Sequence, residues 1–510
     1  MRKKGSTVIQ NGELIPLSEL PTFNAWEDFC ERLFSELKRQ ARIVAFFATP
    51  AGEVGEGFDV FAVLARDRNS NLAVYRVRVK ECFPSLASSI PQLHLFEREI
   101  AEQYGLDPVD HPWLKPVRFH GVWPGQEDVW GRNPNRHPRI GEMEFYQVEG
   151  EEVHEVAVGP VHAGVIEPGH FRFQCHGEKV MHLEISLGYQ HRGVEQLLIG
   201  GPHPLSGMQL EAVAGDSTVA HMTAHSMIIE ALSGCIVPPR AQAVRAIGLE
   251  LERLANHVGD IGALAGDIGF LPTASFCGRL RGDYLNMTAE LCGSRFGRGL
   301  VRPGGVLFDI EPELTERLLK ALEPVARHTA GALQLFFDTP SVISRLEGTG
   351  RLSRSIAEDL GLVGVAAKAC GVPRDSRFFH PTGMYKELFE ELITDETCDV
   401  LARARVRNRE ITVSIDLLRR MLASLPRGPV RQECPELQEE ALAVALVEGW
   451  RGEVVHVAIT GADKKFSRYK IIDPSFHNWS GLAMAMRDEQ ISDFPLCNKS
   501  FNLSYCGVDL

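Results

Sequence analysis

Hydrophobic and polar positions recur along this 510-residue chain with two periods, and the changes between them mark out its parts. Around Ala25–Arg42, Phe29, Leu33 and Leu37 recur at fourfold spacing, which predicts an amphipathic helix. Ala73, Tyr75, Val77 and Val79 then alternate with Arg76, Arg78 and Lys80, the pattern of a strand with one buried face. After Phe83-Pro-Ser85 a second helix is predicted from about Gln92 to Tyr104. From Asp107 to Pro160 the periodicity gives way to Pro108, Pro112, Pro116, Pro124, Pro134, Pro138 and Pro160, with Trp113, Trp123 and Trp130 among them. Prolines at that density interrupt helices and central strands. The tryptophans point to packing, so the stretch reads as an ordered, extended connector.

Beyond about residue 150 the elements lengthen. Short strands are predicted at Val153–Val158, Phe171–Cys175 and Val180–Ile185. Ile247, Leu251, Leu254, Val258 and Ile261 then fall at three- and fourfold spacing, and further helices are predicted over Glu311–Phe337, Ser353–Ala369 and Val400–Ala423. Strands return at Val454–Thr460 and Ser467–Ile472. The expectation is an α+β chain: a small α/β module over 1–106, a connector over 107–150, and over 151–510 a mainly helical domain with a small antiparallel sheet at its start. There is no internal repeat.

Composition narrows the partners. With 44% hydrophobic and 24% charged residues the chain is of ordinary globular make-up. A net charge of −13 argues against nucleic acid, whose phosphates need clustered Lys and Arg. The basic start Met1–Lys4 leads into no apolar run, so no secretory signal is expected. No stretch approaches the ~20 apolar residues of a membrane span, so a membrane location is expected to come through partners. The eleven cysteines are scattered without a single C-x-x-C, which favours buried or incidental thiols over a local metal clip or a disulfide framework.

Ordered motifs in the second module carry a resemblance. Gly159-Pro-Val-His162-Ala-Gly-Val-Ile-Glu167-Pro-Gly-His170-Phe-Arg-Phe173 resembles the opening of the large subunit of membrane-bound, energy-converting nickel–iron hydrogenases. Gly188-Tyr-Gln-His191-Arg192-Gly193-Val-Glu195 is similar to the matching motif that this family shares with the quinone-site subunit of respiratory complex I. Arg253–His257, Gly266–Phe270 and Arg302–Gly305 are typical of the same superfamily. In the first module, Phe96-Glu-Arg-Glu99 followed by Tyr104-Gly-Leu106 resembles the small peripheral subunit of complex I. Fusion of the two modules makes the formate hydrogenlyase type of large subunit the best match.

The departures bear on chemistry. The family's first metal motif, R-x-C-G-x-C, corresponds here to Ala212-Val-Ala214-Gly-Asp-Ser217, and the second, D-P-C-x-x-C, to Asp473-Pro-Ser475-Phe-His-Asn478. The four ligand positions therefore hold Ala214, Ser217, Ser475 and Asn478. A methyl, a hydroxyl or an amide is a poor substitute for the soft thiolates that hold nickel and iron, so hydrogen chemistry is not expected. Pro474-Ser-Phe476 matches complex I instead. Without nickel to trigger the family's C-terminal cut, Ser480–Leu510 is expected to stay in the folded protein.

The resemblance also nominates residues. Glu167 occupies the position of a glutamate that relays protons in hydrogenases; the alternative is a carboxylate paired with Arg172 or Arg192. His170 is the histidine available for a quinone on this loop, but Gly215 sits about where the family's tyrosine is expected, so that pair is incomplete. His191 and Arg192 read as packing and hydrogen-bonding groups near a partner, or as groups that tune the partner's cluster. His221 and His225 lie four apart on one helical face, but Met222 stands where a metalloprotease pair needs its Glu, which favours a structural role.

The expected function is that of a peripheral-arm subunit of a membrane-associated oxidoreductase complex without a nickel–iron centre, coupling electron transfer, with quinone as candidate cofactor, to ion translocation. The alternative is a non-catalytic scaffold of the same complex. The resemblance implies an iron–sulfur small subunit holding a four-iron, four-sulfur cluster, a ferredoxin-like subunit and membrane subunits of the proton-pump type, with the assembly on the cytoplasmic face of the inner membrane. No G-x-G-x-x-G follows a strand, so any NADH is expected to react elsewhere in the complex.

Overall fold

The computed structural model describes residues 8–52, 57–123, 128–132, 139–162 and 166–510. Met1–Lys4, the connector prolines Pro124, Pro134 and Pro138, and Ala163–Val165 of the first motif lie outside the described residues.

The first module is built on three long antiparallel strands in chain order, Arg42–Pro50, Phe58–Arg66 and Asn71–Val79. Val8–Ile9 adds to the free edge of Asn71–Val79, and Thr22–Phe23 pairs with that strand in parallel. The helix Trp26–Lys38 buries Phe29 and Leu33 against this sheet, as its fourfold spacing predicts. Arg42–Pro50 and Phe58–Arg66 are buried along almost their whole length. Such two-sided strands carry no alternation for a periodicity argument to find. The helix His94–Tyr104 follows a single turn at Pro91–Leu93 and ends at Gly105, whose left-handed φ of 65° closes it.

The connector is ordered where described. Asp107–Val109 pairs in parallel with Cys82–Pro84. Trp123 donates its backbone N–H to Gln103 and sets its ring 5.2 Å from that of Tyr104, edge to face. Trp130 donates its indole N–H to the Leu114 carbonyl. Packing of this kind is what the tryptophans implied.

Among the described residues the larger module holds three sheets, two more than expected, the smallest being the pair Val301–Arg302 and Gly305–Val306. Val153–Val158, His170–His176 and Lys179–Ser186 form the anticipated three-stranded antiparallel sheet. Phe466–Ile472, Glu453–Thr460 and Ala441–Glu448 form a second, whose fourth strand, Glu13–Pro16, comes from the N-terminal segment. Around them pack the helices Thr218–Ser233, Pro239–Asp267, Leu271–Cys292, Pro312–Asp338 and Val400–Ala423. The last starts on Asp399, whose carboxylate accepts the Ala402 N–H at 2.8 Å. The helix predicted over Ser353–Ala369 is instead two, Arg354–Asp359 and Gly364–Lys368. Gly361 and Gly364 take φ of 68° and 59°, and a Cβ on Gly364 would meet the Arg451 carbonyl at 2.0 Å.

The modules are joined by buried charge as well as by the shared strand. Arg42 makes a two-point pair with Glu453 at 2.5 and 2.6 Å. Lys470 binds Glu99 of the first module at 2.7 Å and Glu195 of the second at 2.9 Å, and Arg118 of the connector also pairs with Glu99. Arg468 bridges Glu195 and the Gln103 amide. Each of these charges is taken out of water, and each is matched by several partners, the condition under which burial of ions is tolerated.

Candidate functional site

Three segments that are far apart in sequence meet at the base of the three-stranded sheet. The first is the loop between Val158 and His170, which carries Glu167. The second is the turn Gly188–Glu195, and the third is the chain's last ten residues. Glu167 is half-buried; its Oε2 accepts the backbone N–H of Tyr505 at 3.1 Å and its Oε1 that of Cys506 at 3.3 Å. Neither arginine weighed from sequence is its partner among the described residues, since Arg172 pairs with Glu155 on the neighbouring strand. Arg192 spends its guanidinium on three carbonyls: Ala212 at 2.5 Å, Val213 at 3.1 Å and Cys506 at 2.8 Å. Burial, with the Glu167 carboxylate adding to it, pushes the Cys506 thiol up to about 12. The Tyr505 phenol rises to about 12 for the same two reasons, eased by Asn498.

His191 donates from Nδ1 to the Asp509 carbonyl at 2.7 Å and stacks on His120, ring centres 4.7 Å apart. Burial and the neighbouring His120 hold it down to about 4, so it is neutral. The Asp509 carboxylate accepts the N–H groups of Gly188 (2.6 Å) and Gln190 (2.8 Å), and burial raises it to about 6. The backbone carbonyl of Leu510 accepts the Arg192 N–H at 2.7 Å. The hydrogen-bonding role expected of His191 and Arg192 is thus directed at the chain's own tail.

His170 donates from Nδ1 to the Gly159 carbonyl at 3.3 Å, and burial lowers its pKa. Its Nε2, and both ring nitrogens of His162 on the same loop, are buried without a hydrogen-bond partner among the described residues. Buried polar atoms seldom stay unpaired, and those that do ask for a ligand or a functional reason.

The four positions of the lost thiolates have other work. Ser475 Oγ accepts the Ser504 N–H at 2.9 Å. The Asn478 amide pairs at two points with the backbone of Val363, accepting its N–H and donating to its carbonyl, both at 3.1 Å. Ala214 is fully buried and offers only a methyl. Ser217 Oγ accepts from Arg451 at 3.4 Å. Arg451, which lies in none of the sequence motifs, pairs at two points with Asp216 (2.6 and 2.8 Å) and donates to the Asn502 carbonyl at 2.6 Å. The segments 212–217 and 473–478 come near one another at Arg451, which pairs with Asp216 and feels the charge of Asp473, and residues 502–504 pack there too. The four former ligand positions do not fit nickel or iron: they hold no soft ligand, and each polar side-chain atom among them is already engaged. A tyrosine does meet Glu167, but it is Tyr505 from the tail, through its backbone N–H, rather than a residue near Gly215. His221 and His225 share a helix but do not pair with each other as a metal clip would: His221 contacts His456 and Asp473, and His225 contacts Tyr469.

Comparison with known proteins places this geometry. Residues 22–136 match the family model described as respiratory-chain NADH dehydrogenase, 30 Kd subunit, and residues 267–443 that of the 49 Kd subunit. Formate hydrogenlyase subunit 5 of Escherichia coli (strain K12) is 29% identical over 93% of this chain and 86% of its own length. Hydrogenase-4 component G of the same organism is 30% identical over 84% of this chain and 76% of its own. In fold, a chain of the membrane-bound sulfane sulfur reductase, an archaeal respiratory membrane complex, superposes with a TM-score of 0.66, covering 72% of this chain and 100% of that one at 24% identity. The chain therefore belongs to the family of hydrogenase-4 component G and formate hydrogenlyase subunit 5, with a 30 Kd-type and a 49 Kd-type module of NADH dehydrogenase fused in one polypeptide.

Proposed function

We propose that the chain is a peripheral-arm subunit of a membrane-associated oxidoreductase complex, with no nickel–iron centre of its own, at which electrons reach an acceptor of the quinone type. The observation that carries this reading is the loop of Glu167, His162 and His170. The His162 ring carries at least one N–H and has both nitrogens unpaired among the described residues, and His170, its Nδ1 already donating, offers a bare Nε2. Together they provide a donor for a carbonyl oxygen and acceptors for a hydroxyl, the complement of a quinone and its reduced form. A bound quinone would supply a carrier of two electrons and two protons. Glu167, three residues before His170 on the same loop, is the carboxylate that would exchange protons with that acceptor.

Electrons arrive from a small subunit with an iron–sulfur cluster, fed by a ferredoxin-like subunit, and the energy is passed to membrane subunits of the proton-pump type. No helix of the described residues is long and apolar enough to cross a membrane, so attachment runs through those partners, on the cytoplasmic face.

A second reading, a scaffold that binds nothing, has its own support in the tail that packs the former metal junction. One preparation separates them. The complex is purified with its partners, its nickel and extractable quinone are measured, and the Glu167→Gln variant is assayed beside it. Quinone in the preparation, nickel far below one per chain, and slowed turnover in an intact variant complex are expected. Unchanged electron transfer in Glu167→Gln with no quinone favours the scaffold, and stoichiometric nickel in this chain overturns both.

A further inference from the structure

A row of five polar side chains crosses the interior of the large module. Asp473 Oδ2 lies 3.1 Å from His221 Nε2, and His221 Nδ1 lies 3.1 Å from His456 Nε2. His456 Nδ1 is 2.9 Å from the Tyr469 hydroxyl, which is 2.8 Å from His225 Nδ1. Each link is within hydrogen-bond range. The row forms because the helix Thr218–Ser233, with His221 and His225 one turn apart, packs across the strands Ala441–Glu448 and Glu453–Thr460, the second of which contributes His456, while its paired neighbour Phe466–Ile472 contributes Tyr469. None of the five is more than 1% exposed. At one end, Asp473 caps the helix that carries Ser475 and Asn478, its Oδ1 accepting the Ser475 N–H at 2.8 Å. At the other, His225 lines a cavity of about 880 Å³ together with His203, Met208, Met222, Arg302 and Lys464.

The row has a single polarity. Burial holds His225 down to about 3 and His456 well below its ordinary value, so both rings are neutral, with one N–H and one bare nitrogen each. Burial alone would raise the Asp473 carboxyl, but the hydrogen bond from His221, the charge of Arg451 and the Ser475 N–H outweigh it and hold the group below its ordinary value. A carboxylate only accepts, so His221 donates from Nε2; in the tautomer with Nδ1 bare it accepts there. His456 must then donate from Nε2 and accept the Tyr469 O–H at Nδ1, and His225 donates from Nδ1 to the Tyr469 oxygen. The other charges felt along the row are Arg302 near His225 and Glu195 near His456.

We propose that this row is a proton path, taking a proton from the cavity at His225 and delivering one to Asp473 beside the rewritten metal motifs. It rests on the redox reading of that site. A proton bound at His225 Nε2 releases the one on Nδ1 to the Tyr469 oxygen. The phenol proton moves to His456 Nδ1, that on His456 Nε2 to His221 Nδ1, and that on His221 Nε2 to Asp473 Oδ2. One proton enters, one reaches the carboxylate, and each imidazole ends neutral in its other tautomer. A network kept only for stability needs neither an unbroken polarity nor an end at a cavity.

The test uses the intact complex. Tyr469→Phe removes only the hydroxyl joining His456 to His225 and keeps the ring in place. Turnover is expected to fall roughly tenfold or more, with an altered solvent deuterium isotope effect and with co-purification of the partners unchanged. His225→Ala, at the cavity end, is expected to slow the complex similarly, and free imidazole, which the cavity can admit, is expected to restore the rate. If Glu167→Gln slows a complex that Tyr469→Phe leaves at the parental rate and isotope effect, the path is overturned and the redox site stands. A slow His225→Ala complex that imidazole does not rescue likewise overturns the path. If Glu167→Gln and Tyr469→Phe both turn over normally, the redox reading fails and the path with it.

Discussion

Glu167 and Cys506, 339 positions apart, are joined by a hydrogen bond of 3.3 Å from the backbone N–H to the carboxylate. The residue that marks the start of the family's metal module thereby holds the end of this chain. The hold is reciprocal: Asp509 takes the N–H groups of Gly188 and Gln190, and Ser504 donates to Ser475. Leu503, Tyr505, Val508 and Leu510 are at most 5% exposed.

Removal of residues 502–510 is expected to abolish folding rather than to open the site. Four buried apolar side chains at about 1.5–3 kcal/mol each approach the whole stability of a domain, about 5–15 kcal/mol. The stripped N–H groups add to that loss. Expression of the truncated chain, scored by solubility and co-purification with partners, checks this. The same packing leads us to expect that the mass of the protein isolated from cells includes Ser480–Leu510; a soluble, assembled chain lacking the tail would refute both statements.

Asn478 tests whether the old ligand positions have been given other duties. Its amide meets both polar groups of the buried Val363 backbone. Asn478→Cys returns the family's residue but leaves that N–H and C=O unpaired, which costs about 1–3 kcal/mol per group. A lowered thermal midpoint is expected, whereas Asn478→Asp, which keeps the acceptor, is expected to lose less. A cysteine variant as stable as the parent would mean that the pairing contributes nothing.

Much of this was legible where one face of an element is dry and the other wet. The helix Val400–Ala423 starts and ends where its spacing placed it, and the strand at Ala73–Val79 buries its apolar residues while Arg76 and Arg78 reach the surface. Arg42–Pro50, Phe58–Arg66 and Ala441–Glu448 went unread because they are buried on both faces, so no period separates inside from outside. The site divides similarly. Glu167, His170, His191 and Arg192 sit in contiguous motifs and could be nominated in advance. Arg451, His456, Tyr469 and Tyr505 could not, because each acquires its role from partners that only the fold brings near: Asp216 lies 235 positions from Arg451, and His221 lies 235 from His456.

A pH-dependence follows from Glu252. Its carboxylate accepts the N–H groups of Val219 (2.7 Å) and Ala220 (3.3 Å) at the start of the helix that carries His221 and His225. Burial, with the nearby Asp216 in support, outweighs those hydrogen bonds and raises Glu252 from near 4.5 to about 8. The folded protein therefore keeps a proton that the unfolded chain releases near pH 4.5. Stability from this group is complete below about pH 4.5 and falls as pH rises through the window to about 8. Above that it is level, because both states are then ionised. A tenfold difference in proton affinity between the folded and unfolded states is worth about 1.4 kcal/mol, so even part of the difference at Glu252 lowers the thermal midpoint by a few degrees. Glu252→Gln carries no titrating group and fills the same space. Its midpoint is expected to lack this fall between pH 5 and 8 and to exceed the parent's at the alkaline end. Parallel midpoint profiles for the two proteins across that range would show that Glu252 is ionised when folded, and that the start of this helix is held by a charge.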